Sequence, residues 1–330
     1  MGEVVTYVDL ANTFGVEDKV AVIIEVLNET NEILDDLAVK EGNLPTGHKS
    51  VIRTGLPTVA WRILNYGVQP SKAKSRPITD TTGMLEAYAE VDKELADLNG
   101  NTEAFRLSED KAFLEAMNQE HAEALIYGNE AVDPEKITGL AARFSQLSLD
   151  LKKSGSNILD AGGTGSDNTS IWLVVWGDNV HAIYPKGSHA GFIIEDKKQV
   201  TLDDENGGHY EGYRTHYQWK TGLVVKDWRY AIRIANIDWP DTVMGGAGGE
   251  EADLVKLMID AIEMIPNLSA GRPVFYMRRE IRTALRHQIR TDSNVNLTVE
   301  NVEGKRVVSF DEVKVARVDQ LLNTEARIVA

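Results

Sequence analysis

The 38 residues Gly42–Thr79 contain no acid and six bases, in a chain whose net charge is −16. The bases are Lys49, Arg53, Arg62, Lys72, Lys74 and Arg76. With 51 acids in 330 residues, an even spread would place about six acids in this window. The window is therefore +6 and the remainder −22. A segment of one sign on a body of the other is complementary to a second copy of itself. The basic arm of one subunit is expected to lie over the acidic body of the next.

The texture of the window agrees with an arm. Val59, Trp61 and Ile63 alternate with Thr58, Ala60 and Arg62 at strand period. Asn65-Tyr66-Gly67 is a turn signal, after which Lys72, Lys74 and Arg76 again sit at period two. Pro45, Pro57, Pro70 and Pro77 keep most of it out of a sheet interior, since each removes a ladder donor. The expectation is a long, two-legged, exposed arm resting on something else, because an isolated two-stranded ribbon is marginal. The alternative is a mobile basic loop.

A chain of this length buries a large core and divides into subregions. Its apolar fraction of 42% and charged fraction of 26% are those of a folded protein. The absence of cysteine excludes disulfides, thiolate metal sites and a cysteine nucleophile, and fits an intracellular origin. Residues 1–30 lack a basic start followed by an apolar run, so no signal peptide is expected. No apolar window approaches membrane-spanning length. The acidic balance argues against general nucleic-acid binding.

Along the chain, Val16–Leu37 has the spacing of an amphipathic helix. Ser108 is placed to cap a long helix over Ser108–Tyr127, with Phe113, Met117, Ala124 and Leu125 as its apolar stripe and Gly128 ending it. A shorter helix is expected around Ile137–Leu147. Residues 170–237 turn to β character: Ile171–Trp176, Asn179–Tyr184, a turn at Gly207-Gly208, then Tyr213–Trp219 and Leu223–Ile237. After the glycines 245, 246, 248 and 249 comes a compact α/β unit. It comprises a helix Leu254–Ile265, a strand Pro273–Met277, a helix Arg278–Arg290, and strands Val295–Val302 and Arg306–Val318.

Few residues point to chemistry. Asp160–Asp167 carries Gly162, Gly163 and Gly165, but Asn168 stands at the third glycine of a dinucleotide fingerprint. It is expected to be a tight surface turn; the rival reading is a nucleotide-binding enzyme loop. The seven histidines share no helix face with a second ligand, so no metal and no cofactor is expected. No nucleophile constellation is present, and no catalytic residue is assigned. Arg278, Arg282, Arg286 and Arg290 form a stripe with one arginine every four residues. Like charges at that spacing destabilise an isolated helix, which favours an external partner, a neighbouring chain or, alternatively, nucleic acid, over the remaining reading of a solvated face.

Several blocks carry a resemblance: Gly15-Val-Glu-Asp-Lys19, Gly42-Asn-Leu-Pro-Thr-Gly-His48, Arg53-Thr-Gly-Leu-Pro57, Gly67-Val-Gln-Pro-Ser-Lys72, Ala96–Asn101, Asp160–Val175, Tyr184–Ser188 and Asp227–Tyr230. With the element order, they resemble the major capsid proteins of tailed bacteriophages with the Hong Kong 97-type (HK97-like) α+β fold. The likeness is to the epsilon15-like and Bordetella-phage-like podovirus group. The resemblance implies an N-terminal arm and helix over 1–41, an E-loop over 42–83, a peripheral domain with spine helix and β hairpin over 84–239, and an axial domain with returning strands over 240–330. It implies permuted connectivity, because strands usually placed at the C-terminus precede the axial unit.

The same resemblance implies a structural protein, not an enzyme, that assembles non-covalently into hexamers and pentamers of an icosahedral head around double-stranded DNA, which it contacts weakly. A portal, a scaffold and a cement protein are the implied partners, and a virion assembled in the host cytoplasm is the implied location. No cleaved N-terminal scaffolding segment is expected. Lys49, Arg53, Trp61, Arg62, Lys72, Lys74, Arg76, Arg278, Arg282, Arg286 and Arg290 are the expected inter-subunit contacts. The rivals are an encapsulin-like nanocompartment shell with the same fold and, more remotely, a nucleic-acid-binding architectural protein.

Overall fold

The fold is that of a computed structural model, which describes residues 31–98, 102–204, 207–244, 252–291, 297–302 and 305–330. The expected helix Val16–Leu37 lies largely outside these residues. In chain order the first half holds α1 (Ile33–Asp36), β1 (Val39–Glu41), β2 (Gly47–Gly55), β3 (Lys74–Asp92), α2 (Lys93–Asp97), α3 (Thr102–Tyr127) and α4 (Leu140–Arg143). Then come β4 (Ile158–Asp160), β5 (Asn168–Gly177), β6 (Val180–Tyr184), β7 (Phe192–Asp203), β8 (His209–Val225) and β9 (Ala231–Asp238). The last stretch holds α5 (Trp239–Met244), α6 (Leu254–Met264), β10 (Gly271–Met277), α7 (Arg279–Thr291), β11 (Leu297–Val302), β12 (Lys305–Phe310) and β13 (Val313–Arg317).

Two sheets organise the chain. One has the order β1-β6-β8-β3-β2, with β7 also paired to β8. The long strand β8 takes β3 along Gly212–Gly222, β7 along His209–Trp219 and β6 along Gly222–Val225. The other sheet runs β11-β12-β13-β10-β5-β9-β4. The expected boundary at 239/240 passes through this second sheet, since β4, β5 and β9 precede it and β10–β13 follow it.

The run Ile171–Trp176 is uninterrupted because β5 is covered on both faces. Ile171, Leu173 and Val175 join one core with α6, α7 and Phe275. Trp172, Val174 and Trp176 join a second core with Leu125 and Ile126 of α3, Leu223 of β8 and the tail residues Leu321 and Ile328. Period two thus divides one strand between two cores. The hairpin β12–β13 turns at Asp311 and Glu312, both at positive φ, as a two-residue turn with the twist of the strands requires.

Three expectations are corrected. The long helix begins at Thr102, not at Ser108, which lies inside it. Phe105 is buried against Val91 and Ala96, and that packing carries the helix N-terminal of the polar signal at 108–110. At 26 residues it spans about 39 Å. Its end is as expected: the Gly128 amide donates to Ala124 O at 3.0 Å. A Cβ on Gly128 would sit 2.3 Å from Ile137 O, so only glycine fits. The helix expected over Ile137–Leu147 is the single turn α4. Tyr213–Trp219 and the start of Leu223–Ile237 are one strand, β8, separated from β9 by a 3-10 turn at Trp228–Tyr230.

Candidate assembly surface

The acid-free window folds as a ribbon with a long uncovered tip. Gly47–Gly55 pairs antiparallel with Lys74–Thr81, and from Thr82 onward β3 pairs with β8 instead. The first part of β3 therefore leaves the sheet with β2 as its partner. Pro77 is tolerated there, opposite Val51, away from the part of β3 that pairs with β8.

Residues 56–73 form no regular element. The strand expected over Val59–Ile63 is absent: Pro57 precedes it and no partner strand stands beside it. Lys72 sits just before β3, while Lys74 and Arg76 occupy alternate positions on it. The tip keeps its shape through local bonds. Asn65 adopts φ 72° and the Tyr66 amide donates to Ile63 O, closing the expected turn. The Ser71 hydroxyl donates to Thr58 O at 2.7 Å and ties the two legs together.

Two features of the tip stand out. Leu56, Val59, Trp61, Ile63, Leu64 and Tyr66 are all exposed, Trp61 at 103%. Lys49, Arg62, Lys72, Lys74 and Arg76 form no ion pair with any described residue of the chain, and all are exposed. The side chain of Arg53 lies outside the described residues. Six exposed apolar side chains within eleven residues, among cations unmatched by the described residues, are the composition of an interface, not of a solvated loop. Leu56, Leu64 and Tyr66 are not among the contacts expected from the sequence; the available signal is apolar residues among prolines with no partner strand.

The root of the ribbon is anchored tightly. The Gly42 amide donates to Tyr184 O, the Lys186 amide to Leu44 O and the Thr82 amide to Thr46 O. Asn43 bonds both the amide and the carbonyl of Lys49. Buried Asp80 pairs with Arg143 at 2.8 Å. Burial pushes the Asp80 carboxyl above the usual carboxylate range, and Arg143 opposes it. His48 of β2 meets His181 of β6 edge to face at 5.9 Å. Burial, with Lys226 nearby, lowers both imidazoles, His181 to about 4.

The arginine stripe is divided. Arg278 bonds Glu280, Asp319 O and Leu321 O inside the subunit. Arg282 and Arg286 face a cleft between α7, β13 and α1. The side chain of Arg290 lies outside the described residues.

The Asp160–Asp167 loop has a strand on each side, β4 and β5, and no helix follows it. Three of its amides are engaged: Ala161 donates to Ala235 O, Gly163 to Asn236 O and Gly162 to Asp160 Oδ1. These three are not free to cradle a phosphate. Among the described residues no cluster of three or more histidines and acids could hold a metal, and no helix is long and apolar enough to cross a membrane.

The family model for the major capsid protein GP7 matches residues 15–329. The chain belongs to this family of phage major capsid proteins. The solved structure of bacteriophage epsilon15 is similar at TM-score 0.80 and 35% identity, covering 100% of this chain and 98% of that one. The bacteriophage JBD30 capsid shares the fold at TM-score 0.50 and 10% identity, over 90% of this chain and 93% of that one. No curated protein matches. The capsid protein is thus an epsilon15-like member with the expected α+β HK97-like fold. Family membership decides between a phage capsid and a nanocompartment shell in favour of the phage, and the family is structural.

Proposed function

We propose that this capsid protein assembles with copies of itself into hexamers and pentamers of an icosahedral head enclosing double-stranded DNA, held by non-covalent contacts of the 42–83 arm with the adjacent subunit. The observation that carries this reading is the tip itself: six exposed apolar side chains beside cations unmatched by any described residue of the subunit. The rest of the chain supplies the opposite charge in excess. Exposed ion pairs contribute about 0–1 kcal/mol each, so several must act with the burial of Trp61, Val59 and Ile63. Hundreds of identical modest contacts then close a stable shell.

Five-fold and six-fold rings place the same chain in different surroundings. A rigid two-sheet body with a tip held only by its own turn and the Ser71–Thr58 tie can meet both. A net acidic subunit holds DNA weakly, and binding to DNA is expected to fall steeply between 50 and 300 mM salt. In this reading a portal, a scaffold and a cement protein complete a head assembled in the host cytoplasm.

Electron microscopy of the protein, expressed alone and with its neighbouring genes and pelleted through sucrose, tests the proposal. Closed shells, tubes or hexameric sheets are expected. A chain that remains monomeric in both settings would overturn it.

A further inference from the structure

The cleft in front of α7 has a volume of about 760 Å³ and is lined by five cations and three carboxylates. Three of the cations have partners: Arg279 pairs with Asp319, Lys314 with Asp36 and Arg317 with Glu32, the last at 3.5 Å. Arg282 and Arg286 make no hydrogen bond or ion pair with any described residue. The Nε of Arg282 is shielded from water and has no hydrogen-bond acceptor among the described residues, and that of Arg317 has only its 3.5 Å ion pair with Glu32. A shielded donor without an acceptor is destabilising, so the cleft favours whatever anion can enter it. Burial holds Arg282 below the usual arginine range; Glu32 opposes this, while Arg317 and Arg286 add to it. Val308 and Val315 stand behind the cationic groups but are buried in the core, 5% and 2% exposed, so the open surface of the cleft is that of its charged side chains.

We propose that this cleft seats the acidic segment 1–30 of the same chain. That segment carries Glu3, Asp9, Glu17, Asp18, Glu25 and Glu29 against the single base Lys19. It joins the described fold at the cleft. Asn31 bridges to Val318, the Glu32 amide donates to Arg317 O at 3.0 Å, and Glu32 itself lines the cleft. Attachment at the rim makes docking intramolecular, with an effective concentration of about a millimolar or more. A nucleic-acid backbone would also satisfy the arginines but is not tethered at the rim of the cleft. This inference goes beyond the shell reading and does not depend on it.

The test is trypsin cleavage after Lys19 in the unassembled full-length chain, followed by mass spectrometry, with the variants Arg282→Glu/Arg286→Glu and Arg282→Gln/Arg286→Gln. Lys19 is expected to be protected in the natural chain at all protein concentrations. It should be cut about tenfold faster in the glutamate variant, the loss of a 1.4 kcal/mol preference, and at an intermediate rate in the glutamine variant. Thermal melting identifies any variant that is not folded, and the glutamine pair then carries the comparison. Equal rates in natural and folded variant chains would overturn the proposal. Protection that disappears on dilution would overturn it in favour of a neighbour's segment. Loss of DNA retention at 50 mM salt in the glutamate variant, with no change at Lys19, would overturn it in favour of a polyanion.

Discussion

Arg233 and Glu325 form a buried ion pair 2.9 Å long that fastens the C-terminal tail to strand β9. The same arginine donates to Phe144 O and stacks over Trp172 at 5.0 Å, and Ser170 and Tyr127 both donate to Glu325. The tail is further pinned where Asn236 bonds both the amide and the carbonyl of Ile328. These residues join α3, β5, β9 and residues 325–328 in one polar knot beneath the shared core.

Removing one partner leaves the other charged and buried. Glu325→Ala is therefore expected to destabilise the subunit by about 3–5 kcal/mol in denaturant unfolding. A loss under 1 kcal/mol would show that the knot is not closed in solution.

Gly47 is the narrowest point at the root of the arm, where an added Cβ would lie 2.2 Å from Asp80 O. Gly47→Ala must push β2 from β3 and is expected to cost about 1–3 kcal/mol. Hydrogen exchange should quicken along 47–55 and 74–81 but not in β5 or β9.

Trp61 touches nothing that would stabilise the isolated subunit. Trp61→Ser should leave the subunit melting unchanged within about 0.5 kcal/mol. If the ring fills a pocket on the neighbour, each arm contact weakens by about 2 kcal/mol, roughly thirtyfold in affinity. Light scattering against protein concentration separates the two effects.

Acid should loosen the fold through its buried histidines. Burial lowers His121 to about 3 and His181 to about 4, so the folded chain binds fewer protons than the unfolded one below the ordinary histidine range. Their contribution is complete above pH 6.5 and is lost as pH falls towards 4 and then 3. Asp80, raised by burial, acts in the opposite sense at the acidic end, so the histidine signature is clearest above about pH 5. Stability measured from pH 7.5 to 5 should decline, and the decline should flatten in His121→Gln/His181→Gln.

The sequence made some of this legible and hid the rest for physical reasons. The β5 run, the α6 and α7 helices and the turn at Asn65 follow from local patterns that tertiary packing did not override. The start of α3 did not, because Phe105 gains more from burial against Val91 and Ala96 than the signal at Ser108 conveys. The strand period at Val59–Ile63 misled because alternation describes side chains, whereas a strand also needs a partner backbone. The unmatched charge of the arm was readable from residue types alone. The division of the arginine stripe was not, since it depends on Asp319 and Leu321 arriving from 41 and 43 residues away.

The central claim is that the arm's cations meet a neighbour's acids. It is tested most directly by the triple variant Lys72→Glu, Lys74→Glu, Arg76→Glu, compared with the natural chain by melting and by pelleting with electron microscopy. The account predicts an unchanged melting temperature, because none of the three is paired with a described residue of the subunit, together with few or no shells. Normal shells formed by the folded triple variant would contradict it.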